Sequence, residues 1–426
     1  MKKKILLIEL NEFSIDLLNK GVKVLGLKNI KKILKLNHSK TFSDDQLEGQ
    51  GLDPWVQWVS VHTGKPSKVH NVLRIGDIPK LELPQVWEIL ASNGITTGIW
   101  GPMNASLNNR RGCKFFLPDP WAYSEIGYPD SLNSFLDLPR YYSKNYIVPS
   151  KKNLAKGFLK FILFFLRKGI FLSFLKESIN ASLIILKNGL SNMTLFSLFD
   201  MFNTIAFLKF KNSTSPDFSI IFLNSLAHLQ HHYWSDKETN KEMEMCLRIL
   251  DKIIGLLLDS LKPNESVVVV NALSQRNVFK KGIYIYRQID SREFLNAANI
   301  KYAKFEEGMT NDCHIFFSSI DDLNHAYIVF ANAKIKNKKI FYVEIDTKFK
   351  NKLFVQLNFH KKVSLNQYLS INNRSLKFFD YFTLIRERTG EHIKEGDIFS
   401  QRVLFPEKLK NHHISNYLFN HFDIKI

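Results

Sequence analysis

Residues 217–234 read Asp-Phe-Ser-Ile-Ile-Phe-Leu-Asn-Ser-Leu-Ala-His-Leu-Gln-His-His-Tyr-Trp, and this stretch decides the fold. The run from Ser219 to Leu223 is apolar enough for a strand covered on both faces, and polar side chains begin where that strand would end. Ligands bind at the carboxyl ends of strands in open α/β sheets. Three of the 13 histidines of the chain follow directly, namely His228, His231 and His232. The stretch therefore predicts a buried strand that leads into a functional site.

Further apolar runs alternate with helical patterns along the chain. Strands are predicted at Ile5–Leu10, Ile95–Trp100 and Ser266–Val270. The first is interpreted as a buried strand and not as a secretion signal, because Glu9 interrupts its apolar run and no cleavage site follows. Amphipathic helices are predicted before Gly64 and Gly94, where a glycine would end each helix, and over residues 242–261. The alternation predicts an α/β fold in which helices cover both faces of a doubly wound sheet.

Two insertions interrupt this pattern. Residues 151–211 contain ten Lys or Arg, eleven Phe and two acidic residues, which indicates a basic helical insertion. A helix over Phe158–Leu175 would either lie on a membrane surface or pack its apolar face inward. The second insertion alternates strand-like runs with a short helix and is predicted to be α+β. The predicted division is an α/β core of residues 1–130, 215–282 and 381–426, a helical insertion of residues 131–214, and an α+β insertion of residues 283–380.

Composition limits the classes of partner and compartment. The chain has 426 residues and a formal charge of +19, which fits phosphorylated substrates or an anionic membrane surface. Nucleic acid is disfavoured as a partner because the lysines are scattered and no nucleic-acid-binding motif accompanies them. The three cysteines, Cys113, Cys246 and Cys313, lie far apart and give no disulfide framework. A cytoplasmic location is expected, including the inner face of the membrane.

Polar side chains recur wherever a predicted strand ends or a neighbouring loop begins. Amides and imidazoles suit sugar hydroxyls, or a phosphate whose charge nearby lysines neutralise. Polar loop residues from Arg388 to Asp397 include His392, which is hard to explain as part of the core. The candidate catalytic residues are His231, His392, Gln57 and Asn271. The candidate substrate-binding residues are Asn11, Glu12, Asp53, Trp58, His62, His228, Gln230, Ser274 and Gln275.

The order of these segments resembles the alkaline phosphatase superfamily, and most closely its type I phosphodiesterase and nucleotide pyrophosphatase branch. Five segments carry the resemblance. They are Ile8 to Glu12, Pro54 to Gly64 with His70-Asn71, Ala227 to His231, Asn271 to Ser274, and Gly390-Glu391-His392. The resemblance covers the core and neither insertion. It implies an alkaline-phosphatase-like sheet and a hydrolase that holds two divalent cations, usually zinc.

The chain departs from that family at most of the expected metal ligands. Asn11 stands where the resemblance implies the first aspartate, and Ala227 stands where it implies the second. Either Leu52 or Pro54 takes the place of the nucleophile, and Ala272 and Leu273 replace two further ligands. His231 and His392 survive as candidate metal ligands. Two imidazoles would hold one weakly bound cation, zinc or manganese, and would not support a two-metal mechanism.

Three functions follow from this reading. The first is a divergent hydrolase or transferase that acts on a phosphate ester or a glycan intermediate, with His231 or His392 as general acid or base. The second is a non-catalytic relative that binds glycan or lipid-linked intermediates at a membrane surface during surface-polysaccharide assembly. The third is a scaffold protein with a vestigial pocket. The first is the function we expect.

Overall fold

The protein is described by a computed structural model that covers residues 2–43, 52–145, 149–308, 311–346 and 348–425. The chain divides into two compact units, the first of residues 1–140, 155–278 and 390–426 and the second of residues 141–154 and 279–389.

Strands and helices alternate through the first unit and strands dominate the second. The strands are β1 Lys4–Leu10, β2 Asn37–Phe42, β3 Thr97–Trp100, β4 Cys113–Leu117, β5 Phe218–Leu223, β6 Glu265–Val270, β7 Ser274–Asn277, β8 Ile283–Gln288, β9 Lys304–Glu307, β10 Asp312–Phe316, β11 Lys334–Ile335, β12 Lys338–Lys339, β13 Phe341–Ile345, β14 Lys352–Leu357, β15 Tyr368–Ile371, β16 Arg374–Lys377, β17 Phe382–Arg388, β18 Gly390–Ile393, β19 Glu395–Ser400 and β20 Lys408–Lys410. The helices are α1 Ile15–Leu25, α2 Lys28–Ile33, α3 Pro54–Thr63, α4 Ser67–His70, α5 Val86–Ser92, α6 Asn133–Asn145, α7 Lys151–Arg167, α8 Phe171–Asn188, α9 Asn192–Thr214, α10 Ser225–Tyr233, α11 Lys241–Asp259, α12 Ser291–Ala297, α13 Ile320–Asn332, α14 Phe378–Tyr381 and α15 Ile414–His421.

An eight-stranded sheet forms the centre of the first unit in the described part of the chain. Its strand order is β20-β2-β19-β6-β1-β5-β3-β4. β1 pairs in parallel with both β5 and β6, and β3 pairs in parallel with β5 and β4. β19 runs antiparallel to its neighbours β6 and β2. The carboxyl ends of β1, β5 and β6 therefore meet at one edge, which is where a site is expected.

Side chains of β1 pack into two different cores because successive residues of a strand point to opposite faces. Leu6 and Ile8 belong to the core that contains α1, α9 and α11. Ile5 and Leu7 belong to the core that contains α3, α5 and α15. The predicted α/β fold, with helices on both faces of the sheet, is confirmed.

The Phe-rich segment consists of two helices and not one. The predicted continuous helix over Phe158–Leu175 is wrong, because α7 ends at Arg167 and α8 begins at Phe171. Gly169 lies between them with φ at 68°, a left-handed conformation that ends a helix. Phe161, Phe164 and Phe165 are buried in the same core as the sheet.

Helix α9 is the longest helix of this segment. By length and composition it could cross a membrane, and it is the one helix in the described residues that passes this test. However, 61% of the tested window is buried inside the protein. Phe207 and Phe210 of α9 surround Trp100 of β3, with ring centroids 6.3 and 5.7 Å away. The apolar character of α9 is thus explained by packing against the sheet.

The second unit contains two four-stranded sheets in its described residues, with orders β13-β14-β10-β9 and β12-β11-β15-β16. β17 pairs with β8. Phe294 of α12 and Phe330 of α13 pack against Phe341 in one apolar cluster. The prediction of an α+β insertion is confirmed.

The predicted polar loop from Arg388 to Asp397 is wrong. β18 and β19 occupy most of it, and β18 pairs antiparallel with β7, so that His392 faces Gln275 across the ladder. The reason is that backbone pairing with β7 makes residues 390–393 a strand, although their side chains are polar. Arg276 and Glu391, which are opposite each other, form an ion pair at 2.7 Å.

Candidate functional site

Glu12 lies in the tight turn that follows β1. Its backbone φ is 57°, a left-handed conformation that is uncommon for a residue with a side chain. The side chain is 97% buried, and both carboxylate oxygens face polar groups. Strained backbone of this kind persists only where the surroundings stabilise it, and it clusters at functional sites.

His231 comes to the same place from helix α10, which directly follows β5. Its Nε2 atom lies 2.9 Å from Oε2 of Glu12. Asp200 of α9 fixes the start of α10, because its Oδ2 accepts hydrogen bonds from the backbone N–H groups of Asn224 at 3.0 Å and Ser225 at 2.7 Å. The helix is therefore anchored at the end of the strand, two turns before His231.

His392 of β18 completes the cluster. Its Nδ1 atom lies 2.5 Å from the carbonyl oxygen of Leu52. A carbonyl only accepts, so Nδ1 carries a proton and donates it. The Nε2 atom then points at Oε2 of Glu12, 3.0 Å away, and at Nε2 of His231, 3.3 Å away. In the neutral imidazole this Nε2 is an unprotonated acceptor that faces a carboxylate, and either a proton or a metal cation between the two atoms would satisfy the contact.

The three donor atoms fit one small divalent cation. Glu12, His231 and His392 are the one group of three or more candidate ligands with converging donor atoms among the described residues. Ligand bonds of about 2.0–2.1 Å in a tetrahedral site place neighbouring donors about 3.3 Å apart. The observed separations are 2.9, 3.0 and 3.3 Å. Catalytic zinc sites with two histidines and one glutamate use this donor set and leave a fourth position open.

The charge of the cluster is also set by its surroundings. Burial raises the pKa of the Glu12 carboxyl, but the charges and hydrogen bonds of His392 and His231 outweigh burial and hold the pKa well below its ordinary value. Glu12 is therefore an ionised carboxylate at neutral pH. When both imidazoles are neutral, the cluster has one negative charge and three donor atoms, and a metal cation that binds there takes the place of the protons on the histidines.

A layer of amides orients the Glu12 carboxylate. Gln275 donates from Nε2 to Oε2 at 2.5 Å, and Asn11 donates from Nδ2 to Oε1 at 3.0 Å. Asn11 is held in turn by Trp58, whose indole N–H donates to its Oδ1 at 2.8 Å. Gln230 donates to the backbone carbonyl of Glu12 at 2.6 Å. Such outer contacts fix ligand orientation and contribute to affinity for the metal.

Several candidate residues form hydrogen bonds with backbone or side-chain groups outside the cluster. Asn271 and Ser274 both donate to the carbonyl of Phe13, at 2.7 and 2.8 Å, and so brace the turn that carries Glu12. Gln57 accepts a hydrogen bond from Asn411 at 2.9 Å. Asp53 is the residue before the first turn of α3. Asn271 and Ser274 thus support the Glu12 turn, and none of the four residues joins the cluster.

Two candidate histidines are not members of the cluster. His62 is fully buried, with Nε2 at 2.6 Å from Oε1 of Glu9. Burial lowers the pKa of His228 to about 4, although the charge of Glu12 partly opposes the shift. The His228 ring stacks on Phe196 with centroids 3.8 Å apart, and its Nε2 faces the Asn224 amide at 3.3 Å. His228 is therefore a neutral packing residue at physiological pH.

The sequence predicts Glu12 as a substrate-binding residue but does not indicate that it contacts both histidines. The feature of the sequence that could have indicated this is a carboxylate directly after Asn11, at the end of a buried strand. The left-handed conformation at residue 12 is one that glycine adopts most readily, and here it directs a carboxylate into the site.

No protein-family model matches the chain, and no curated protein matches it. Solved structures match the chain, and two of them are described here by identity, TM-score and coverage. Phosphonoacetate hydrolase from Sinorhizobium meliloti 1021, in complex with phosphonoformate, is 12% identical with a TM-score of 0.48, covering 99% of this chain and 96% of that chain. Murine ectonucleotide pyrophosphatase/phosphodiesterase 5 is 9% identical with a TM-score of 0.47 and the same two coverages.

The similarity to both solved proteins is one of fold alone.

Proposed function

We propose that the protein is a hydrolase or transferase of phosphate esters whose active centre is the cluster of Glu12, His231 and His392 with one divalent cation, zinc or manganese. The observation that carries the proposal is the convergence of one carboxylate oxygen and two Nε2 atoms within 3.3 Å of one another. A bound cation of this kind would supply Lewis-acid stabilisation of the negative charge that builds up on a phosphoryl oxygen.

The chain's own residues prepare this centre. The Leu52 carbonyl fixes the His392 tautomer that leaves Nε2 as a ligand, and Gln275 and Asn11 hold the Glu12 carboxylate from two sides. The side chains of His231 and His392 are 15% and 11% exposed, whereas that of Glu12 is 3% exposed. The histidines therefore form the open side of the site, and a phosphate ester would approach over them.

A single cation is proposed because the positions of further ligands hold other side chains. Ala272 and Leu273 are fully buried apolar residues. Ala227 contributes only its backbone carbonyl, which accepts a hydrogen bond from Gln275 at 3.3 Å. One ionised carboxylate and a divalent cation leave one positive charge, which suits an anionic phosphate ester.

A second candidate function is binding without turnover, for instance of a glycan or lipid-linked phosphate intermediate. The observation that favours it is the start of α3, where the family that the motifs resemble has a Thr or Ser nucleophile. Leu52 and Pro54 are found there, with neither a hydroxyl nor a thiol, and Asp53 stands between them. Hydrolysis in this chain would then depend on a water molecule as the nucleophile.

The test measures metal before activity. Titration calorimetry with zinc and manganese, together with metal content by mass spectrometry, is expected to give one equivalent per chain. Glu12→Gln should weaken binding by about a hundredfold or more, because a ligand is lost in addition to its outer contacts. Glu391→Gln is the matched control, since Glu391 neighbours His392 on β18 but pairs with Arg276 outside the cluster.

Two equivalents of zinc per chain, no binding, or equal affinity in wild type and Glu12→Gln would overturn the metal assignment. Activity is then measured on the metal-loaded protein with bis(4-nitrophenyl) phosphate and 4-nitrophenyl phosphate. Turnover that disappears in Glu12→Gln and persists in Glu391→Gln supports the hydrolase. One bound metal with phosphate binding and no turnover supports the binding function.

A further inference from the structure

One face of helix α8 exposes a continuous row of large apolar side chains. Their spacing of three or four residues places them on one side of the helix. We call this row the α8 stripe; its members are Leu172, Leu175, Ile179, Leu183 and Leu186. Leu172 and Leu186, at its two ends, are 80% and 83% exposed. From Leu172 to Leu186 the row extends over about 21 Å at the 1.5 Å rise of an α-helix.

The opposite face of α8 already contacts the protein core. Phe174 is 5% exposed, and its ring lies 4.6 Å from Phe165 and 4.8 Å from Phe202. Ala181, on the same face, is also 5% exposed. A helix at a water-facing surface normally has polar residues on its outer side. Because α8 is apolar on both sides, its outer side is built for a second apolar contact.

Basic residues outnumber acidic ones in the part of the sequence that contains the stripe. Residues 155–190 contain six basic residues and a single acidic one, Glu177, which is paired with Lys252 at 2.6 Å. Lys160 is paired with Asp137, and Lys168 lies over the ring of Phe210. Lys176, four residues after Leu172, borders the stripe on the exposed surface of the helix.

We infer that the α8 stripe docks on an anionic lipid bilayer, with α8 lying parallel to the membrane plane. Leucine and isoleucine side chains enter the boundary between headgroups and acyl chains, and Lys176 beside them contacts anionic headgroups. A second copy of this chain would cover the leucines equally well, but it would bring an identical positive surface against this one. Anionic lipid combines apolar contact with charge complementarity.

The proposed docking surface lies along α8 and differs from the helix over Phe158–Leu175 that the sequence predicts. The phenylalanines that drew attention to Phe158–Leu175 are largely in the core, and Phe161, Phe164 and Phe165 are each at most 2% exposed. The exposed apolar surface instead extends along α8 as far as Leu186. The docking face is independent of the metal site, so failure of either assignment leaves the other standing.

The test is co-sedimentation of the full chain with vesicles of phosphatidylcholine containing 30 or 0 mol% phosphatidylglycerol, at low salt. Binding is expected with the anionic vesicles alone. The double substitution Leu172→Asn with Leu186→Asn should lower the partition coefficient by about tenfold or more, because two exposed apolar side chains no longer enter the bilayer. Both positions are exposed, so the melting temperature should stay that of the wild type.

A matched control uses leucines of similar exposure elsewhere on the protein. Leu365 and Leu404 are 77% and 76% exposed, and changing both to Asn should leave vesicle binding unchanged. Absence of binding to anionic vesicles overturns the proposal, and so does binding that the α8 double substitution leaves intact. A dimer in sedimentation equilibrium that this substitution dissociates, with no vesicle binding, would assign the stripe to a second copy and also overturn the proposal.

Discussion

Asp200 gives a quantitative test of how the fold positions His231. The residue lies on α9 and is 4% exposed, and its Oδ2 accepts the backbone N–H groups of Asn224 and Ser225 at the start of α10. Burial raises the pKa of its carboxyl from 3.8 to about 6, although hydrogen bonds from Ser225 and Asn224 partly oppose the shift. Asp200→Asn keeps an oxygen that can accept both hydrogen bonds and removes the titration.

The magnitude follows from the difference in pKa between the folded and unfolded chain. Because the folded pKa is the higher, the native protein holds more protons than the unfolded protein between about pH 4 and 6. The free energy of unfolding therefore falls as pH rises through this window. A difference from 3.8 to about 6 corresponds to about 3 kcal/mol, all of it present below pH 4 and lost above pH 6.

Urea unfolding followed by tryptophan fluorescence reports on the first unit, which contains Asp200. All six tryptophans, at positions 55, 58, 87, 100, 121 and 234, belong to the first unit. Relative to wild type, Asp200→Asn should gain about 3 kcal/mol between pH 4 and pH 6. Asp200→Ala should also lose the slope, but it should be less stable than Asp200→Asn by about 1–2 kcal/mol at every pH, since two N–H groups lose their acceptor. Parallel pH profiles for wild type and Asp200→Asn would refute the reasoning.

Three further predictions concern the Glu12 turn and the layer behind it. Trp58→Phe removes the donor to Asn11 and should cost about 1–3 kcal/mol in urea unfolding, because a buried amide oxygen loses its partner; a change within 0.5 kcal/mol of zero would contradict this. Gly390→Ala should lower both the unfolding midpoint and the zinc affinity, because a Cβ there would lie 2.6 Å from the carbonyl oxygen of Gln230; an unchanged midpoint would show that the strand shifts freely. Glu12→Gly and Glu12→Ala both remove the carboxylate, so the difference in their unfolding free energies isolates the left-handed backbone, and Gly should be the more stable by about 1–2 kcal/mol; equal stabilities would mean that the turn relaxes.

The fold could be predicted from sequence wherever one element is decided by its own residues. β5 and β6 are continuous apolar runs, and both were located within one residue of their observed bounds. The end of α3 at Gly64 followed from its glycine, whose φ is 68°. The break between α7 and α8 was missed because the apolar pattern continues across Gly169. β18 was missed because its pairing with β7 is set by tertiary contacts that no local pattern records.

The site could be predicted less completely, for a physical reason. Amides and histidines at strand ends mark the correct edge of the sheet, but the sequence does not show which of them face inward. Asn271 and Ser274 turned to a backbone carbonyl, and His62 turned to Glu9. A buried polar group must find a partner, so most of the polar residues at this edge satisfy one another. Those that remain partly open, His231 and His392, form the candidate centre together with the buried Glu12.

The position of the one carboxylate explains why so many amides surround it. A carboxylate at residue 12 must reach the site from a left-handed backbone, and it is buried, so both its conformation and its charge are unfavourable without partners. Asn11 and Gln275 each supply an N–H to it, and Gln230 ties down its backbone carbonyl. On the proposed assignment these amides therefore support the one carboxylate of the ligand set. Changes at Asn11 or Gln275 should consequently alter the affinity for metal, even though neither side chain is a ligand.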